Sequence, residues 1–556
     1  MTTRLQDWLA IQADRRPDAP AVIYRGVVAS YREMEERSNR LARALQAAGC
    51  TPGDRVGLLL PKTIEAIVAM FAALKADCAY VPLDTASPAA RIERILQLCE
   101  CRCVLAEQST AALLNELADS SGWTADTRIG WMDSGAALTR GMPGGFCIQD
   151  IDQFPSNAVN SRHDASATAH ILFTSGSTGV PKGVVITHAN VMHFVDWAIG
   201  YFGTGPDDRI SCHPPLHFDL STFDIYGTIA AGAQLHLVPP EVSILPHRLA
   251  CFIREAQLTQ WFSVPSVLQH LRKFDVVRPN DFPALRRLLW CGEKLSTPTL
   301  RYWIERLPHV SFTNLYGPTE ATIASSYYRV PACPGSDDAE IPIGSPCAGE
   351  SLLVLDEQLN PVRRGEIGEL YIAGVGLSPG YWRDPVKTRE VFLPNPHDPS
   401  AGERIYRTGD LARLGEDGMI YLLGRLDSQI KSRGHRIELG EVEAAMHAVP
   451  GVAEVAVVAI ESGGVEGMSI CCAYVPLRDA EVSPSVLTRQ LARTLPRYML
   501  PARWMGLEAM PRNRNGKTDR PLLEQWFRKE AAGVPLATNG AVSGAGASGI
   551  AAVQSQ

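Results

Sequence analysis

The sequence predicts an α/β protein with a large N-terminal domain of layered α/β subdomains, a β-rich subdomain after them, and a small α+β C-terminal domain. Three observations support this prediction. Strand and helix patterns alternate to about residue 330, which is typical of largely parallel sheets covered by helices. From about residue 342, Gly, Pro and short β-type runs dominate. After residue 425, a basic turn, a helix pattern and a strand pattern predict a separate domain of about one hundred residues.

Local signals mark the first elements of the N-terminal part. Ser30 with Glu33 forms a capping box, and Gly49 ends the helix that follows it. We expect a strand, a helix, a second strand and a second helix next, at Val56–Leu60, Ile64–Ala76, Tyr80–Leu83 and from near Ala89.

The C-terminal half divides into further segments. The β-rich subdomain is predicted from short runs at Ser351–Leu355, Gly368–Ala373 and Met419–Leu422, and the last domain from a helix near Glu441–Ala448 and a strand at Glu454–Ile460. We therefore expect an N-terminal core at 1–426, a C-terminal domain at 427–529 and a tail at 530–556. The tail is rich in Ala, Gly, Ser and Val and has almost no charge, which predicts disorder.

Composition limits the function classes. The 46% hydrophobic and 20% charged residues are typical of a soluble globular protein, and the net charge of -7 argues against a nucleic-acid surface. Charged residues interrupt Met1–Ala19, so this stretch lacks the apolar core of a signal peptide, and the apolar runs are too short to span a membrane. We expect a cytoplasmic protein without nucleic-acid or membrane partners.

The chain has thirteen scattered cysteines, which favours reduced thiols over a disulfide framework. Their one cluster is Cys99-Glu100-Cys101-Arg102-Cys103. Such a run can hold a metal ion, but no second His/Cys pair at zinc-ligand spacing lies near it. The favoured interpretation is a helix end that continues into a strand at Val104–Ala106.

A loop rich in glycine and hydroxyl groups lies between two apolar runs, Ala169–Phe173 and Val184–Ile186. Its sequence is Thr174-Ser175-Gly176-Ser177-Thr178-Gly179-Val180-Pro181-Lys182-Gly183. Backbone N–H groups, hydroxyls and one lysine together can surround polyphosphate oxygens, so the loop predicts phosphate binding. The Walker A spacing is absent. A flexible hydroxyl-rich hairpin is the alternative interpretation.

A series of further motifs follows along the chain. They are Asn314-Leu315-Tyr316-Gly317-Pro318-Thr319-Glu320, Gly368-Glu369-Leu370-Tyr371 with Gly380-Tyr381-Trp382, Tyr406-Arg407-Thr408-Gly409-Asp410, Gly424-Arg425-Leu426-Asp427 with Gly434-His435-Arg436-Ile437-Glu438, and Asn515-Gly516-Lys517-Thr518-Asp519-Arg520. In this order and spacing the series resembles the adenylate-forming enzymes, and within them the amino-acid-activating adenylation domains of nonribosomal peptide synthesis. The resemblance covers roughly residues 5–525.

The resemblance implies a two-step reaction that uses ATP and Mg²⁺. A carboxylate attacks the α-phosphate of ATP and expels pyrophosphate, and a thiol then takes the acyl group from the adenylate. Cations must offset the repulsion between these anions. The resemblance assigns catalysis to Lys517, Glu320 and Thr319, with Lys517 as the bridging cation and Glu320 as the Mg²⁺ ligand. A solvated surface lysine and a glutamate at a helix start are the alternatives.

The same resemblance implies a nucleotide site. Asp410 can accept hydrogen bonds from both ribose hydroxyls, Arg425 can donate to the same sugar, and Tyr316 offers a ring face to adenine. Core packing is the alternative role for Tyr316. The implied nucleotide-binding set consists of Thr174, Ser175, Gly176, Ser177, Thr178, Gly179, Lys182, Gly292, Glu293, Asn314, Tyr316, Gly317, Asp410, Tyr421, Arg425 and Lys517.

Asp427 lies where the family places a hinge between its large and small domains. A hinge implies a mobile C-terminal domain that presents Lys517 for adenylation and then the Arg433–Arg436 loop for thiol transfer. An ordinary interdomain linker is a compatible alternative.

The segment from His217 to Asp224 bears on the substrate. A carboxylate in an apolar setting needs a cation, and Asp219 matches the position that binds the α-ammonium of an amino acid in the family. A helix N-cap, or a metal cluster of Asp219 with His217 and Asp224, is the alternative. The implied side-chain pocket is uncharged and consists of Leu220, Phe223, Ser263, Leu289, Cys291, Leu315, Ile323 and Ala324. We expect a small uncharged amino acid, with proline or alanine ahead of cysteine or serine.

Motif absences suggest how the acyl group is passed on. No Gly-Gly-x-Ser-type phosphopantetheine site follows Arg520, and no H-H-x-x-x-D-G condensation signature occurs. We expect a stand-alone amino acid–carrier protein ligase that loads the phosphopantetheine thiol of a separate carrier protein. One rival is an acyl-CoA or aryl-CoA ligase of the same superfamily. Another is a degenerate ATP-binding regulatory subunit, which the intact Lys517, Glu320 and Asp410 argue against.

Overall fold

The computed structural model describes residues 4–118, 127–133, 145–161, 163–176, 179–397, 403–461, 467–478, 480, 482–513 and 517–533. The chain divides into two compact units. The larger contains Met1–Thr174, Pro181–Asp427 and Arg433–Arg436, and the smaller contains Ser175–Val180, Ser428–Ser432 and Ile437–Gln556. No helix within the described ranges is long and apolar enough to cross a membrane.

The larger unit alternates helices and strands. Its described helices are α1 (Leu5–Arg15), α2 (Tyr31–Ala47), α3 (Ile64–Lys75), α4 (Ala89–Cys99), α5 (Ala111–Ala118), α6 (Ile148–Ile151), α7 (His188–Phe202), α8 (Asp219–Ala231), α9 (Pro240–Ile244), α10 (Pro246–Glu255), α11 (Pro265–Lys273), α12 (Thr297–Arg306) and α13 (Pro385–Val391). Its described strands are β1 (Pro20–Tyr24), β2 (Val27–Ser30), β3 (Arg55–Leu59), β4 (Ala79–Pro82), β5 (Cys103–Ala106), β6 (Arg128–Trp131), β7 (Thr168–Thr174), β8 (Lys182–Thr187), β9 (Arg209–Cys212), β10 (Gln234–Leu237), β11 (Gln260–Ser263), β12 (Arg287–Trp290), β13 (Ser311–Tyr316), β14 (Ser326–Arg329), β15 (Ser345–Pro346), β16 (Glu350–Leu355), β17 (Ile367–Gly374), β18 (Phe392–Pro394), β19 (Arg404–Leu414) and β20 (Ile420–Arg425).

Three sheets organise the larger unit. A six-stranded sheet has the order β6-β5-β3-β4-β7-β8, and its strands are parallel except β8. A nine-stranded sheet has the order β15-β14-β13-β12-β11-β9-β10-β1-β2, with a parallel block from β13 to β1. A five-stranded antiparallel sheet joins β16, β17, β19 and β18 in that order, with β20 beside β19.

Helix α3 lies at the centre of the unit. Its apolar residues surround the whole helix, and every residue except Glu65 is buried. A helix that is hydrophobic on all sides must be covered on all sides. Its apolar side chains belong to the same hydrophobic core as α1, α2, α8 and the strands β1, β3 and β4.

The smaller unit has an α+β composition. Its elements are β21 (Gln429–Ser432), the end of β22 (His435–Glu438), α14 (Leu439–His447), β23 (Val452–Glu461), β24 (Met468–Pro476), α15 (Pro484–Leu491), β25 (Arg503–Gly506) and α16 (Arg520–Ala531). β24 pairs antiparallel with β23 and parallel with β25. α16 includes the first two residues of the predicted tail, 530 and 531, and residues 534–556 lie outside the described part.

The predicted fold class is confirmed, and so are its local signals. The side chains of Ser30 and Glu33 form the capping box at the start of α2, and Gly49 follows the helix with a φ of 92°. α4 ends at Cys99 and β5 begins at Cys103, so the cysteine cluster joins a helix end to a strand as expected. Leu60, Ala76 and Leu83, predicted as element ends, lie just outside β3, α3 and β4, because terminal residues lack one set of backbone hydrogen bonds.

Candidate active site

The carboxyl ends of three neighbouring parallel strands lie side by side in the nine-stranded sheet. Ser263 at the end of β11 is in register with Trp290 on β12, and Trp290 is in register with Asn314 on β13. Cys291 and Leu315 come next along their chains, so predicted pocket residues share one sheet edge. In open α/β sheets, ligands bind outside this edge.

The structure brings the predicted pocket residues together. Each is at most 5% exposed, and all but one belong to a single hydrophobic cluster, which contains Leu220, Phe223, Leu289, Cys291, Leu315, Ile323 and Ala324. The remaining residue, Ser263, forms a hydrogen bond between its Oγ and Nδ1 of His213 at 3.1 Å. All of the predicted pocket residues are uncharged.

Asp219 is the first residue of α8 and is partly exposed. The N-cap position belongs to Phe218, so the alternative interpretation of Asp219 as a helix N-cap is wrong. The helix begins one residue earlier than that interpretation requires, and the Asp219 carboxylate lies in the first turn, where the helix dipole favours negative charge. Among the described residues, no group that includes His217 and Asp224 has the arrangement of a metal site.

Glu320 is fully buried in a short 3₁₀ turn after β13. Its Oε1 accepts a hydrogen bond from the Tyr381 hydroxyl at 2.7 Å and lies 3.7 Å from Nζ of Lys182. Its Oε2 accepts from Nη1 of Arg436 at 2.5 Å. Burial alone would raise the pKa of Glu320, but the two cations and the hydroxyl lower it to about 2. Glu320 is therefore an ionised carboxylate that lies among cations.

The chain around Glu320 has an unusual backbone. Thr322 and Ile323 both have positive φ, 54° and 71°, although both are β-branched. Such residues occupy this region only when their surroundings hold them there. One such contact is a hydrogen bond of 2.7 Å from Oγ1 of Thr322 to the carbonyl of Gly376. A Cβ on Gly317 would lie 2.5 Å from Cα of Ala324, so this motif glycine allows the close approach.

Asp410 lies at the centre of a second polar group. Tyr316 donates its hydroxyl to Oδ2 of Asp410 at 2.5 Å, and Nη1 of Arg425 donates to Oδ1 at 2.6 Å. The same guanidinium donates to both carboxylate oxygens of Asp427, at 2.8 Å each. The motif residues predicted for ribose, adenine and the hinge are thus neighbours, although Tyr316 and Asp410 are 94 residues apart.

Other predicted nucleotide-binding residues have different contacts. Asn314 donates from Nδ2 to the carbonyl of Pro342 at 2.9 Å. Glu293, which follows Gly292 with its φ of 96°, accepts from the N–H groups of Ser266 and Gly434. Tyr421 donates its hydroxyl to Asp417, in the turn between β19 and β20, at 2.7 Å. Within the described residues, no hydrogen bond or ion pair joins Tyr421 to Asp410 or Arg425.

The glycine-rich loop connects β7 and β8, which pair as an antiparallel hairpin with Thr174 opposite Lys182. Oγ of Ser175 accepts from the N–H of Glu438, and the N–H of Gly176 donates to Glu441 at 3.3 Å. Gly179 has a φ of 81°. The predicted residues Ser177 and Thr178 lie outside the described part of the chain.

Lys517 belongs to the smaller unit and is exposed. Its N–H donates to Oδ1 of Asn513 at 3.1 Å, and its carbonyl accepts from the N–H of Asn513 at 2.7 Å. Residues 514–516, which lie between Asn513 and Lys517 in the chain, are outside the described part.

The sequence did not identify every group around Glu320. Tyr381 and Arg436 both contact Glu320 in the structure. They lie within the recognised motifs, but the sequence alone did not predict that either residue would contact this carboxylate. The Gly-Tyr-Trp motif was the available signal for Tyr381. The sequence also gave no sign of the buried Lys62, which lies before α3 and contacts the segment that leads into α8.

Comparisons with known proteins identify the family of this chain. The profile of the AMP-binding enzyme family matches residues 9–382, and that of the AMP-binding enzyme C-terminal domain matches residues 441–517. Among curated proteins, tyrocidine synthase 1 of Brevibacillus parabrevis is 33% identical over 520 residues. The phosphinothricin tripeptide synthetase PhsB of Streptomyces viridochromogenes is 37% identical over 520 residues. These alignments cover 92% and 93% of this chain but 44% and 41% of the relatives, so the chain spans less than half of their length.

Two solved structures resemble the chain over nearly its whole length. The Vibrio cholerae adenylation domain AlmE, solved with glycyl-adenosine-5'-phosphate, is 26% identical with a TM-score of 0.81, and the match covers 95% of this chain and 98% of that one. PA1221, a nonribosomal peptide synthetase protein that contains adenylation and PCP domains, is 27% identical with a TM-score of 0.78. That match covers 96% of this chain and 88% of the other.

Proposed function

Because the chain belongs to the AMP-binding enzyme family and is an AMP-forming ligase of the nonribosomal adenylation type, we propose that it activates a small uncharged amino acid as an aminoacyl-AMP. Proline and alanine are favoured ahead of cysteine and serine. The observation that carries the proposal is the position of Asp219, a partly exposed carboxylate at the first residue of α8, directly before Leu220 of the buried, uncharged pocket set. A carboxylate there offsets the charge of an ammonium group.

In the proposed first step, a carboxylate oxygen of the amino acid attacks the α-phosphorus of ATP. The bond from that phosphorus to the bridging oxygen breaks, and pyrophosphate leaves with the electron pair. Asp219 holds the ammonium group of the substrate and so directs its carboxylate toward the phosphate. Asp410 and Arg425 hold the ribose, with the ring of Tyr316 beside adenine. Lys182 and Lys517 supply positive charge to the phosphate oxygens.

The residues around Glu320 fit a divalent cation. Glu320 is ionised, as its pKa of about 2 requires, and its present partners Lys182 and Arg436 show that the position accommodates positive charge. Carboxylate oxygens are preferred by Mg²⁺. We propose that Glu320, with Thr319 beside it, holds Mg²⁺. The ion, when bound, neutralises charge on the phosphate oxygens.

In the proposed second step, a thiolate attacks the acyl carbon, and AMP leaves as the bond between that carbon and its phosphate oxygen breaks. We propose that residues 427–529 form a mobile domain that turns at Asp427 between the two steps, with a disordered tail at 530–556. Asp427 is the last residue of its segment in the larger unit and is held there by Arg425, which supports a pivot directly after it. Mobile domains commonly complete a site for one step at a time.

The proposed thiol acceptor is a phosphopantetheine arm on a separate carrier protein. The support is that a solved relative, PA1221, contains both adenylation and PCP domains.

The first test is ATP–pyrophosphate exchange across a panel of amino acids that includes D- and β-forms. We expect the fastest exchange with a small uncharged member and slow exchange with charged ones. Exchange that depends on fatty or aryl acids, and on no amino acid, would replace the proposal by the acyl-CoA or aryl-CoA ligase alternative. No exchange with any carboxylate would favour a degenerate ATP-binding subunit.

The second test separates the possible thiols. The enzyme loaded with adenylate is mixed either with a phosphopantetheinylated carrier protein or with coenzyme A. We expect acylation of the carrier, and acylation of coenzyme A at a comparable rate would contradict the carrier proposal.

A further inference from the structure

A lysine is buried next to the substrate segment without being part of its lining. Lys62 lies between β3 and α3 and is 9% exposed. Its Nζ donates to the backbone carbonyls of Cys212 at 2.7 Å, His213 at 2.7 Å and Pro214 at 3.2 Å. These carbonyls belong to the chain that leaves β9, in the other large sheet, so one ammonium group connects the six-stranded and nine-stranded sheets.

The three carbonyls lie at the start of the segment that leads to Asp219. After Pro214 and Pro215, the N–H of Phe218 donates to the carbonyl of Pro215 at 3.0 Å, and α8 begins at the next residue. The segment also contacts the end of β11, because the His213 ring forms its hydrogen bond with Ser263. A shift of residues 212–214 would therefore move both the ammonium-binding carboxylate and a polar lining residue.

Asp224 is the acidic group that faces Lys62. It lies on α8 and is 1% exposed. Burial raises the pKa of the Asp224 carboxyl, while the Lys62 ammonium and the backbone N–H of His213 act in the opposite direction. Burial likewise lowers the pKa of Lys62, while Cys212 and Asp224 raise it. Both buried groups thus converge on the same short stretch of backbone.

Taking an ammonium group out of water costs several kcal/mol unless hydrogen bonds and an opposite charge replace the water. Three carbonyls replace the water here and so fix the position of this backbone, and the nearby Asp224 adds an electrostatic attraction. We propose that Lys62 is a positioning residue for the amino-acid half of the site, which holds residues 212–214 so that Asp219 and Ser263 keep their places. This inference rests on the proposed function, because it assigns Asp219 to the substrate ammonium.

Lys75 provides a matched comparison at the other end of α3. It is equally buried, and its Nζ donates to Oγ of Ser38 and Oδ1 of Asn39 at 2.8 Å each and pairs with Glu35 at 2.6 Å. All of these partners lie on α2. Lys75 therefore packs two helices together and contacts no residue of the proposed site.

The experiment uses the full chain and compares Lys62→Met, Lys62→Arg and Lys75→Met with the wild type. The wild-type exchange panel is read first, and it identifies the amino acid used in the kinetics. For Lys62→Met we expect the KM for that amino acid to rise about tenfold or more, while the KM for ATP changes less than about twofold. Lys62→Arg keeps donors for the carbonyls and should restore most of the loss. Lys75→Met should lower the melting temperature without changing the ratio of the two KM values.

Hydrogen–deuterium exchange gives a readout that does not depend on activity. Lys62→Met should increase exchange in the segment 212–224, and Lys75→Met should increase it in α2 instead. If Lys62→Met does not fold, Lys62→Gln retains two N–H donors on a shorter side chain and is measured in its place.

Three results would overturn the inference. The first is that Lys62→Met changes the KM for the amino acid and the KM for ATP equally. The second is that Lys62→Met has full activity. The third is that its hydrogen–deuterium exchange in 212–224 equals that of the wild type. A wild-type enzyme that lacks any amino-acid-dependent exchange would instead reject the proposed function, and it would do so before any variant is made. The hydrogen–deuterium exchange of residues 212–224 in Lys62→Met would still decide whether Lys62 holds this backbone.

Discussion

The two halves of the candidate site differ in how they treat charge. On the nucleotide side, the buried carboxylates Glu320 and Asp410 are each engaged by a cation and a tyrosine hydroxyl. On the amino-acid side, the lining is apolar and continuous with the core of the unit, and Asp219 is the carboxylate at its edge. One half is therefore specified by ion pairs and the other by packing.

This difference explains what each half can recognise. Ion pairs and charged hydrogen bonds require particular residue types at particular places, so the nucleotide side is arranged for one class of ligand. Apolar packing discriminates a single methylene by only about 1–3 kcal/mol, so the amino-acid side sets size more firmly than identity. A mutation on the nucleotide side should therefore change mainly the KM for ATP, and one on the amino-acid side mainly the KM for the amino acid.

The largest effect is expected from the proposed catalytic lysine, which belongs to the smaller unit. Lys517→Ala removes the proposed bridging cation and should reduce ATP–pyrophosphate exchange about 10²–10³-fold. The affinities for ATP and amino acid should change little, because both halves remain intact. Lys529→Ala, in the last turn of α16, is the matched control and should have full activity. Normal exchange by Lys517→Ala would remove this lysine from the mechanism.

The next effect sharpens the comparison on the amino-acid side. Asp219→Ala leaves the substrate ammonium without a counter-charge, which costs about 3 kcal/mol, the lower end for a buried pair because Asp219 is partly exposed, or roughly 10²-fold in kcat/KM for the amino acid. The KM for ATP should stay near the wild-type value. Asp207→Ala, an exposed carboxylate before β9, serves as the control. An acyl-CoA ligase would tolerate Asp219→Ala far better, so a small effect would favour that alternative.

The corresponding change on the nucleotide side should be smaller. Asp410→Asn keeps the shape of the side chain but weakens its charged hydrogen bonds, each worth about 1.5–3 kcal/mol. We expect the KM for ATP to rise about 10–100-fold, with little change in the KM for the amino acid. Glu305→Gln, an exposed carboxylate on α12, is the control. If both KM values rose together, the division into two halves would be wrong.

The smallest effect concerns stability, at a carboxylate that lacks the ion pairs of Glu320. Glu350 accepts from the N–H of Gly376 at 2.7 Å, and its Oε1 lies 3.8 Å from Nε2 of His193. Burial raises the pKa of Glu350 to about 7, in spite of that hydrogen bond. The folded state therefore holds this proton more tightly than the unfolded state, and the free energy of unfolding falls as the pH rises from about 4.5 to 7.

Glu350→Gln should remove that part of the pH dependence. The melting temperature of the variant minus that of the wild type should increase as the pH rises from 5 to 8. Thermal unfolding of both proteins in matched buffers measures this difference. Glu320 behaves in the opposite sense, since its lowered pKa contributes stability that is lost only as the pH falls from about 4.5 toward 2. A constant difference between the Glu350→Gln variant and the wild type across this range would contradict the raised pKa.

The sequence by itself determined the features that depend on near neighbours. The capping box at Ser30, the alternation of strands and helices, the β7–β8 hairpin and the ordered motif series were all readable, because caps, periodicity and turn residues act over a few positions. The motif series also identified the family. Glu320, Asp410 and Arg425 could be selected as site candidates because binding a charged ligand requires charged residues of particular types.

The tertiary structure alone decided which groups meet. Arg436 and Glu320 are 116 residues apart, and Lys62 contacts carbonyls about 150 residues away. No local pattern records such pairings, because they follow from how sheets and helices pack rather than from the residues beside them in the chain. Residue type also cannot distinguish a pocket leucine from a core leucine. Leu289 and Leu315 become pocket candidates only because the fold places them near the carboxyl edge of the sheet.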